Sequence, residues 1–322
     1  MAPRRSARTT GRLALAALAV GLITAVGGCV GTSSQQGGPP ETSQTGSQSA
    51  DAAHPPPAPS PATPQVDKLL VFILENHSLN QMRQGMPWLY DLGRQYGYAA
   101  GYAAVTHPSM PNYLAIAGGS TFGIADDDPP ADHSVSGPSV FGSALAAGRT
   151  AAVYADGMDT ACKQSDGGTY AVRHNPWTYF GDERQACLQH DVPMQQFADD
   201  VSAGRLPNVG MVVPDTCHDA HDCSLSQADD WLRTEVENVL RGPDWMTGRL
   251  AVVVTADEDD HHQNNRVLTV VAHPFLEHAV VTAPLSHYSL SRAYAEVGGF
   301  TPMQQAQDAP SLLRAFGLAP TR

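Results

Sequence analysis

Three short apolar runs in this 322-residue chain each stop abruptly at a group of carboxylates and histidines. The runs cover residues 69–74, 209–214 and 250–255. Their length and their content of β-branched residues predict strands that are buried on both faces of a parallel sheet. Open parallel sheets bind ligands beyond the carboxyl ends of their strands, so the polar groups would meet there if the three strands are neighbours. Carboxylate and imidazole groups gathered at one edge suit a divalent metal ion and phosphoryl or acyl chemistry.

The segments between and after these runs alternate between helical and extended patterns. The clearest helix is 227–241, where apolar residues recur at helical spacing. Similar patterns predict helices at 86–96, 112–117, 139–147, 194–203, 289–297 and 311–316, and strands at 150–154 and 266–272. This alternation predicts an α/β fold with a mostly parallel central sheet and helices on both of its faces.

The beginning of the chain has the pattern of a signal peptide, which we place at residues 1–28. Four arginines precede an apolar stretch at 13–26 that is short for a membrane span. The next residues resemble a lipobox, which predicts a lipid anchor to the cell membrane on Cys29; an ordinary signal peptide with an incidental cysteine is the alternative. Residues 29–65 are rich in Gly, Ser, Thr and Pro, which predicts a disordered tether. Residues 66–322 would then form one catalytic domain, lipid-anchored or secreted outside the cytoplasm.

The predicted domain is strongly acidic. Residues 66–322 carry 15 of the 19 Lys and Arg residues and 30 of the 32 Asp and Glu residues, a formal net charge of −15. This charge argues against a nucleic acid partner, because phosphate backbones bind basic surfaces. An acidic protein that handles an anionic substrate needs a local positive charge. A bound divalent metal ion, of open identity and number, would supply it.

Four cysteines remain in the domain, and an even number in an exported domain predicts two disulfides. Proximity in sequence predicts the pairs Cys162–Cys187 and Cys217–Cys223. A thiolate metal site is the alternative, but no Cys-x-x-Cys spacing occurs. The second disulfide would clamp the loop at 218–222, which carries two aspartates and two histidines besides Ala220.

Ser109 stands between two prolines at the entry to a predicted helix. The backbone N–H groups at a helix N-terminus lack partners within the helix and form a ready anion site. A nucleophile that attacks a phosphoryl group would be well placed there. From this segment alone, a capping serine without a chemical role is the simpler interpretation.

Seven short motifs occur in a fixed order along the domain, and together they resemble a known family. They are Glu-Asn-His-Ser at 75–78, His-Pro-Ser-x-Pro-Asn-Tyr-Leu at 107–114, Arg-His-Asn-Pro at 173–176, Asp-x-His-Asp-Cys at 219–223, Trp-Leu at 231–232, Thr-x-Asp-Glu at 255–258 and His-Tyr-Ser-Leu at 287–290. The combination resembles the phosphoesterase family of secreted acid phosphatases and phospholipases C, in the alkaline phosphatase-like superfamily. The resemblance spans residues 66–318. It is strongest to short actinobacterial acid phosphatases, some described as phosphatidylinositol-3-phosphatases.

The resemblance implies roles for particular residues. Ser109 falls where superfamily members keep a nucleophile, and Asn112 falls where a phosphate oxygen is held. Metal ligands are implied at Glu75, Asn76, Asp257 and Glu258, and in two-metal members also at Asp219, His221 and His287. A histidine with an ordinary pKa of about 6.5 would protonate the leaving oxygen best below neutral pH. The candidates for this general acid are His107, His174 and His218.

Two positions depart from the family's pattern. Relatives often carry an asparagine where this chain has His218, and the residues at 259–262 are more charged than usual. Both departures leave the number of metal ions open. The aspartates at 126–128 are interpreted as a solvated loop, although acidic loops can hold Ca²⁺. Asp215 stays ambiguous, because the proline before it could simply turn the chain.

Three functions compete for this sequence. The first is an exported, metal-dependent acid phosphatase that hydrolyses small phosphate monoesters or phospholipid headgroups through a phosphoserine on Ser109. The second is a phosphodiesterase of the phospholipase C type, which the same residues could serve. The third is a non-enzymatic metal-binding surface lipoprotein, which would require a broken nucleophile or broken ligands, and the sequence shows neither.

Overall fold

The computed structural model describes residues 63–321 of the chain. The predicted signal peptide at 1–28, the lipidated Cys29 and most of the predicted tether lie outside the described residues. Gln65, the last residue of the predicted tether, forms a short strand together with Val66. No helix in the described part of the chain is long and apolar enough to cross a bilayer.

The strands between residues 63 and 321 are short, and most of their residues are buried. They are β1 (Gln65–Val66), β2 (Lys68–Leu74), β3 (Gly97–Ala99), β4 (Tyr102–Ala103), β5 (Ala151–Ala155), β6 (Asp191–Pro193), β7 (Val209–Val213), β8 (Leu250–Ala256), β9 (Thr269–Ala272), β10 (Ala279–Val281), β11 (Leu285–Ser286) and β12 (Ala319–Pro320).

Eight of these strands form one sheet in the order β10-β3-β9-β8-β2-β7-β5-β6. Neighbouring strands are parallel except around β9, which runs antiparallel to both β3 and β8. The predicted mostly parallel sheet is therefore confirmed. Two small parallel pairs, β1 with β12 and β4 with β11, lie apart from this sheet.

The helices flank the sheet. They are α1 (Leu79–Gly85), α2 (Pro87–Gln95), α3 (Ser109–Gly118), α4 (Val140–Ala146), α5 (Arg184–His190), α6 (Gln195–Ala203), α7 (Leu225–Arg241), α8 (Pro243–Met246), α9 (His287–Gly298) and α10 (Leu312–Ala315). They form two groups of mutual contacts, with α1, α2 and α7 in one group and α3, α4 and α9 in the other. Such grouping fits the predicted cover on both faces of the sheet.

Two predicted elements differ from the observed ones for local reasons. The predicted helix at 86–96 begins at Pro87, because proline suits the first turn of a helix, and a separate α1 precedes it. Ser78 and Gln81 form a capping box that starts α1. The predicted strand at 266–272 shortens to β9, whose pairing with β8 begins only at Val270.

The strands β8, β2 and β7 lie side by side and contain the three apolar runs. We call the polar residues that follow them the three strand tips: 75–78 after β2, 215–222 after β7 and 257–262 after β8. Backbone hydrogen bonds of 2.9 Å tie the tips together, from Glu75 N to Asp219 O and from Asp257 N to Leu74 O. The predicted convergence of the tips at one edge is therefore confirmed.

Both predicted disulfides form. Cys162 pairs with Cys187, and Cys217 pairs with Cys223. The second disulfide closes the loop that carries Asp219 and therefore braces one of the three strand tips. The alternative of a thiolate metal site is excluded for these four cysteines, because their sulfurs are bonded to one another.

Candidate active site

Ser109 is the first residue of α3, and only 2% of its surface is exposed. Its Oγ donates a hydrogen bond of 2.7 Å to Oε1 of Glu75, the residue directly after β2. The chain enters α3 through Pro108 in an extended conformation. The first N–H groups of α3, which lack helical partners, therefore lie beside the nucleophile candidate.

A buried histidine links the tips of β2 and β7. His174 Nε2 lies 3.4 Å from Glu75 Oε1, and His174 Nδ1 lies 3.1 Å from Asp219 Oδ2. Tyr113 of α3 stacks on the imidazole ring, with the ring centroids 5.2 Å apart. His174 thus bridges the carboxylate that binds Ser109 and the carboxylate of the disulfide-braced loop.

The tip of β8 supplies two more buried carboxyl groups. Asp257 is fully buried, and its Oδ1 accepts hydrogen bonds from the backbone N–H groups of Asn76 and Glu258 at 3.2 and 2.7 Å. Glu258 Oε2 accepts a 3.1 Å hydrogen bond from Asn112 Nδ2. These contacts hold both side chains at the edge where Glu75 and Ser109 meet.

The charges of Glu75 and His174 stabilise each other. Burial alone would raise the pKa of Glu75, but His174, Ser109 and His221 lower it to about 2. Burial likewise opposes the charge on His174, yet Asp219 and Glu75 raise its pKa to about 10. In the absence of a metal ion, a protonated His174 therefore supplies the positive charge among these carboxylates.

The other carboxyl groups are not compensated in this way. Burial, together with the charges of Glu75 and Glu258, raises the pKa of Asp257 well above its ordinary value. Burial and the charge of Glu75 raise the pKa of Glu258 to about 8. Burial also raises the pKa of Asp219, and His174 offsets only part of that increase. An additional cation would favour the charged form of all three.

Two buried carboxylate oxygens at this site, Glu75 Oε2 and Asp257 Oδ2, have no hydrogen-bond partner among the described residues. The ring nitrogens of His174, in contrast, face Glu75 and Asp219. Buried polar atoms are ordinarily paired, so the two unpaired oxygens indicate a missing partner. Glu75, His174 and Asp257 can each offer one ligand atom, and these atoms lie within 4.8 Å of one another. We call Ser109, Glu75, His174, Asp219 and Asp257 the Ser109 cluster.

Two asparagines form hydrogen bonds beside this cluster: Asn112 with the loop before Ser109 and with Glu258, and Asn76 with Glu75. Asn112 Oδ1 accepts from the N–H groups of Val105 and Thr106, while its Nδ2 donates to Thr106 O, Pro108 O and Glu258. Asn112 therefore holds the loop before Ser109, and the contact with phosphate that the resemblance implies stays a prediction. Asn76 Nδ2 donates to Glu75 Oε1 at 3.3 Å, which places its amide beside the ligand atoms.

Two predicted histidines lie at the rim of the cluster. His107 Nδ1 is 3.1 Å from Glu258 Oε1, and its Nε2 is 3.2 Å from Asp259 Oδ1. His221 Nε2 is 3.8 Å from Glu75 Oε2, and its Nδ1 is 2.7 Å from Asp222 Oδ1. Both rings are partly exposed, unlike His174, so both can meet a molecule that enters from solvent.

His287 lies behind the Ser109 cluster. Its Nε2 lies 2.6 Å from the backbone oxygen of Asp257, and its Nδ1 lies 3.0 Å from the hydroxyl of Tyr102. Burial lowers the pKa of His287 to about 4, so the neutral ring donates from Nε2 and accepts at Nδ1. Both ring nitrogens thus contact protein atoms and support the backbone of Asp257, and the metal-ligand role that the resemblance implies for His287 stays a prediction.

His218 belongs to a different group of side chains. Its Nδ1 lies 2.7 Å from Asp156 Oδ2 and 3.2 Å from Asp215 Oδ1, and its ring stacks on Trp231 at 5.0 Å. Thr169 Oγ1 donates to the other oxygen of Asp215 at 2.6 Å. We call Asp156, Asp215 and His218 the His218 cluster. The structure brings His218 to these partners and not to Ser109.

The sequence alone did not reveal the position of Asp127. Its Oδ1 accepts a 2.8 Å hydrogen bond from the N–H of Met110, the residue after Ser109. The aspartates at 126–128 are therefore not a purely solvated loop, because one of them reaches the start of α3. Only chain folding brings these residues together, and no local motif marks the contact.

The mostly parallel sheet, with a buried serine, carboxylates and histidines at its carboxyl edge, has the architecture of the alkaline phosphatase-like fold. A protein of the alkaline phosphatase superfamily from Vibrio parahaemolyticus has a similar structure, with a TM-score of 0.53 and 9% sequence identity. The similarity covers 78% of this chain and 72% of that protein. At this identity the likeness shows the fold alone.

The chain belongs to the Phosphoesterase family, whose model matches residues 73–295. It is 28% identical over 263 residues to a phosphatidylinositol-3-phosphatase of Mycobacterium tuberculosis, over 80% of this chain and 85% of that one. It is 29% identical over 208 residues to a phosphate-repressible acid phosphatase of Penicillium chrysogenum, over 59% of this chain and 48% of that one. The chain thus spans about half the length of the fungal relative. It is a phosphoric ester hydrolase, in agreement with the motifs in its sequence.

Proposed function

We propose that this chain is an exported, metal-dependent acid phosphatase that cleaves phosphate monoesters through a phosphoserine on Ser109. The observation that carries the proposal is the 2.7 Å hydrogen bond from Ser109 Oγ to Glu75, beside buried ligand atoms without partners among the described residues. A serine that only capped a helix would bond to backbone N–H groups, whereas this hydroxyl bonds to a carboxylate.

Glu75, His174 and Asp257 would hold a divalent metal ion, with Asp219 beside them. Their carboxylate and imidazole donors suit several divalent ions, and their unpartnered atoms fit the requirement for a missing partner. Asn76, Glu258 and His221 stay candidate ligands at the rim. When bound, the ion would lower the pKa of the serine hydroxyl and neutralise charge on the transferring phosphoryl group.

Ser109 Oγ attacks phosphorus while the bond from phosphorus to the leaving oxygen breaks. Glu75 orients the hydroxyl, whose proton leaves along this hydrogen bond and passes to solvent, because the pKa of about 2 makes Glu75 too weak a base to retain it. The N–H groups at the start of α3 stabilise negative charge on the phosphoryl oxygens. Water then hydrolyses the phosphoserine, which releases phosphate and restores Ser109.

His107 is the proposed donor of a proton to the leaving oxygen. It lies two residues before Ser109 and is partly exposed between Glu258 and Asp259. His174 is buried between two carboxylates, and His218 lies in the other cluster. His107 is therefore the histidine of the three with access to both solvent and the start of α3.

The names of the relatives support a small phosphate monoester or a phospholipid headgroup as the substrate. Two disulfides support an oxidising compartment outside the cytoplasm. We propose export through the signal at 1–28 and attachment to the membrane through a lipid on Cys29. Residues 66–322 would be the catalytic domain.

The test compares Ser109→Ala with Ser78→Ala on an aryl phosphate at mildly acidic pH, with and without added divalent metal. We expect Ser109→Ala to lose at least about a thousandfold in kcat/KM, because the covalent route is removed. Ser78→Ala removes a buried hydroxyl from a neighbouring strand tip and should cost only about 1 kcal/mol of stability as a lost cap. Wild-type turnover by Ser109→Ala would overturn the proposal, and cleavage of phosphatidylcholine in preference to the monoester would favour the phospholipase C alternative.

A further inference from the structure

A carboxylate occupies the start of α3, where the proposed function places the substrate's phosphoryl group. Asp127 Oδ1 accepts the N–H of Met110 at 2.8 Å. Met110 directly follows Ser109, so this N–H is one of the donors next to the nucleophile that have no partner within the helix. A helix N-terminus that faces a nucleophile would ordinarily receive a phosphoryl oxygen.

The contact is not by itself a sign of a ligand site, since carboxylates often cap helices. The independent sign is the pair of buried oxygens on Glu75 and Asp257 at the same edge, which have no partner among the described residues. Ser109 connects the two features, because its backbone begins α3 and its hydroxyl bonds to Glu75. Asp127 therefore lies at the phosphoryl position of the proposed reaction.

The charge of Asp127 acts on the same site. Asp127 Oδ1 contacts the backbone N–H of Met110, the residue after Ser109, so its negative charge lies close to a phosphate bound at Ser109. A phosphate dianion would therefore meet both competition for the Met110 N–H and electrostatic repulsion.

A cavity of about 370 Å³ adjoins Asp127. Its lining includes Arg173, for which no ion pair or side-chain hydrogen bond is found within residues 63–321, and Asp166, which is held by the N–H of Val172 at 2.8 Å. Because Arg173 and Asp127 line one cavity, the guanidinium is available to pair with the carboxylate when it leaves Met110. Because Arg173 directly precedes His174, the backbone of Arg173 lies beside the Ser109 cluster.

We propose that Asp127 occupies the phosphate position at the start of α3 and must leave it before a phosphate ester binds. The inference rests on the proposed function, because it places the phosphoryl group at Ser109. Its consequence is that Asp127 weakens the binding of free phosphate, which shares the charge of the substrate, and so limits inhibition by the product.

The test measures the inhibition constant of inorganic phosphate for the full chain with divalent metal added. Asp127→Asn removes the charge and keeps an oxygen that can accept from Met110. Asp128→Asn is the matched control, because it removes an exposed charge from the same loop, and the Asp128 side chain makes no hydrogen bond or ion pair with α3 among the described residues. We expect Asp127→Asn to bind phosphate about tenfold more tightly than wild type, and Asp128→Asn to resemble wild type.

Direct calorimetric titration with phosphate and a thermal melt accompany the kinetics, and Asp127→Ser serves as a second variant if Asp127→Asn does not fold. Unchanged or weaker phosphate binding in a folded Asp127 variant would overturn the inference, and so would equal tightening in Asp128→Asn. Turnover of the aryl phosphate by wild type tests the proposed function separately. A wild type that turns over substrate, with unaltered phosphate binding in the Asp127 variants, would overturn this inference alone.

Discussion

The Ser109 cluster and the His218 cluster have similar composition and different hydrogen bonding. Each offers two or more carboxylates and one histidine within 4.8 Å, near the ends of central strands. In the His218 cluster, His218 and Thr169 satisfy Asp156 and Asp215. In the Ser109 cluster, one buried oxygen of Glu75 and one of Asp257 lack partners among the described residues.

The difference shows that composition does not identify a metal site. Unpaired buried carboxylates cost folding free energy, so a chain that keeps them has a use for them. The paired cluster is explained by structure alone, since it joins the ends of β5 and β7 and packs under Trp231. We therefore expect catalysis and metal binding to depend on the first cluster and not on the second.

The largest expected effect is a difference in kcat/KM between two variants that each replace one aspartate by asparagine, one variant in each cluster. Asp257→Asn should lower kcat/KM by at least about a thousandfold, because it removes a ligand charge from the phosphoryl site. Asp215→Asn should lower it by less than about tenfold, the range of a substitution that perturbs structure only. Steady-state kinetics on an aryl phosphate measures both. Equal losses in the two variants would remove the distinction between the clusters.

Metal binding should depend on pH through His174. Its pKa of about 10 means that the metal-free site carries a proton that a bound ion must displace. Affinity should therefore fall as pH falls, by up to about a hundredfold from about pH 7.5 to about pH 5.5 for one proton released. Calorimetry in buffers of different ionisation enthalpy measures the released proton. His174→Gln should release about one proton fewer than wild type, since Asp257 also holds a proton in the metal-free site, and a pH-independent affinity in wild type would contradict the assignment.

His218→Asn places the residue that relatives often carry into the His218 cluster. We expect kcat/KM to stay within about threefold of wild type, because His218 lies away from the reacting atoms. Substitutions at such positions usually change the free energy of unfolding by only about 0.5 kcal/mol. His107→Gln is the comparison variant and should lose activity most with substrates whose leaving groups need a proton. A large loss in His218→Asn with His107→Gln unaffected would transfer the general-acid role to His218.

The smallest effect on activity is expected at Asp191, a buried carboxyl group outside both clusters, where the predicted change is in stability. Burial raises the pKa of Asp191 to about 7, and Asn175 offsets this only partly through hydrogen bonds of 3.0 and 2.9 Å. The folded state keeps this proton up to about pH 7, whereas the unfolded chain loses it near about pH 4, so stability falls as pH rises between those values. Relative to wild type, Asp191→Asn should gain about 4 kcal/mol of stability as pH rises from about 4 to about 8, because the two pKa values differ by about three units. Denaturant unfolding at both pH values measures it, and a pH-independent difference would contradict the raised pKa.

Local sequence was enough to predict the three strand tips and the two disulfides. Apolar runs such as 250–255 mark buried strands, and each predicted cysteine pair is close in sequence. The partners of individual side chains were not predictable in this way. His218 meets Asp156 across 62 positions, and Met110 meets Asp127 across 17. These contacts depend on how loops pack, which no periodicity encodes. The sequence therefore could not choose among His107, His174 and His218 as the general acid.

The central claim is that Ser109 carries the phosphoryl group during turnover. Acid quenching of the metal-loaded wild type during steady-state turnover of a phosphate ester, followed by peptide mass spectrometry, tests it directly. We predict one phosphoryl group on the peptide that contains Ser109, and none in Ser109→Ala treated in the same way. Turnover without any phosphorylated serine, under conditions where quenching precedes hydrolysis of the intermediate, or label on a different residue, would contradict the account.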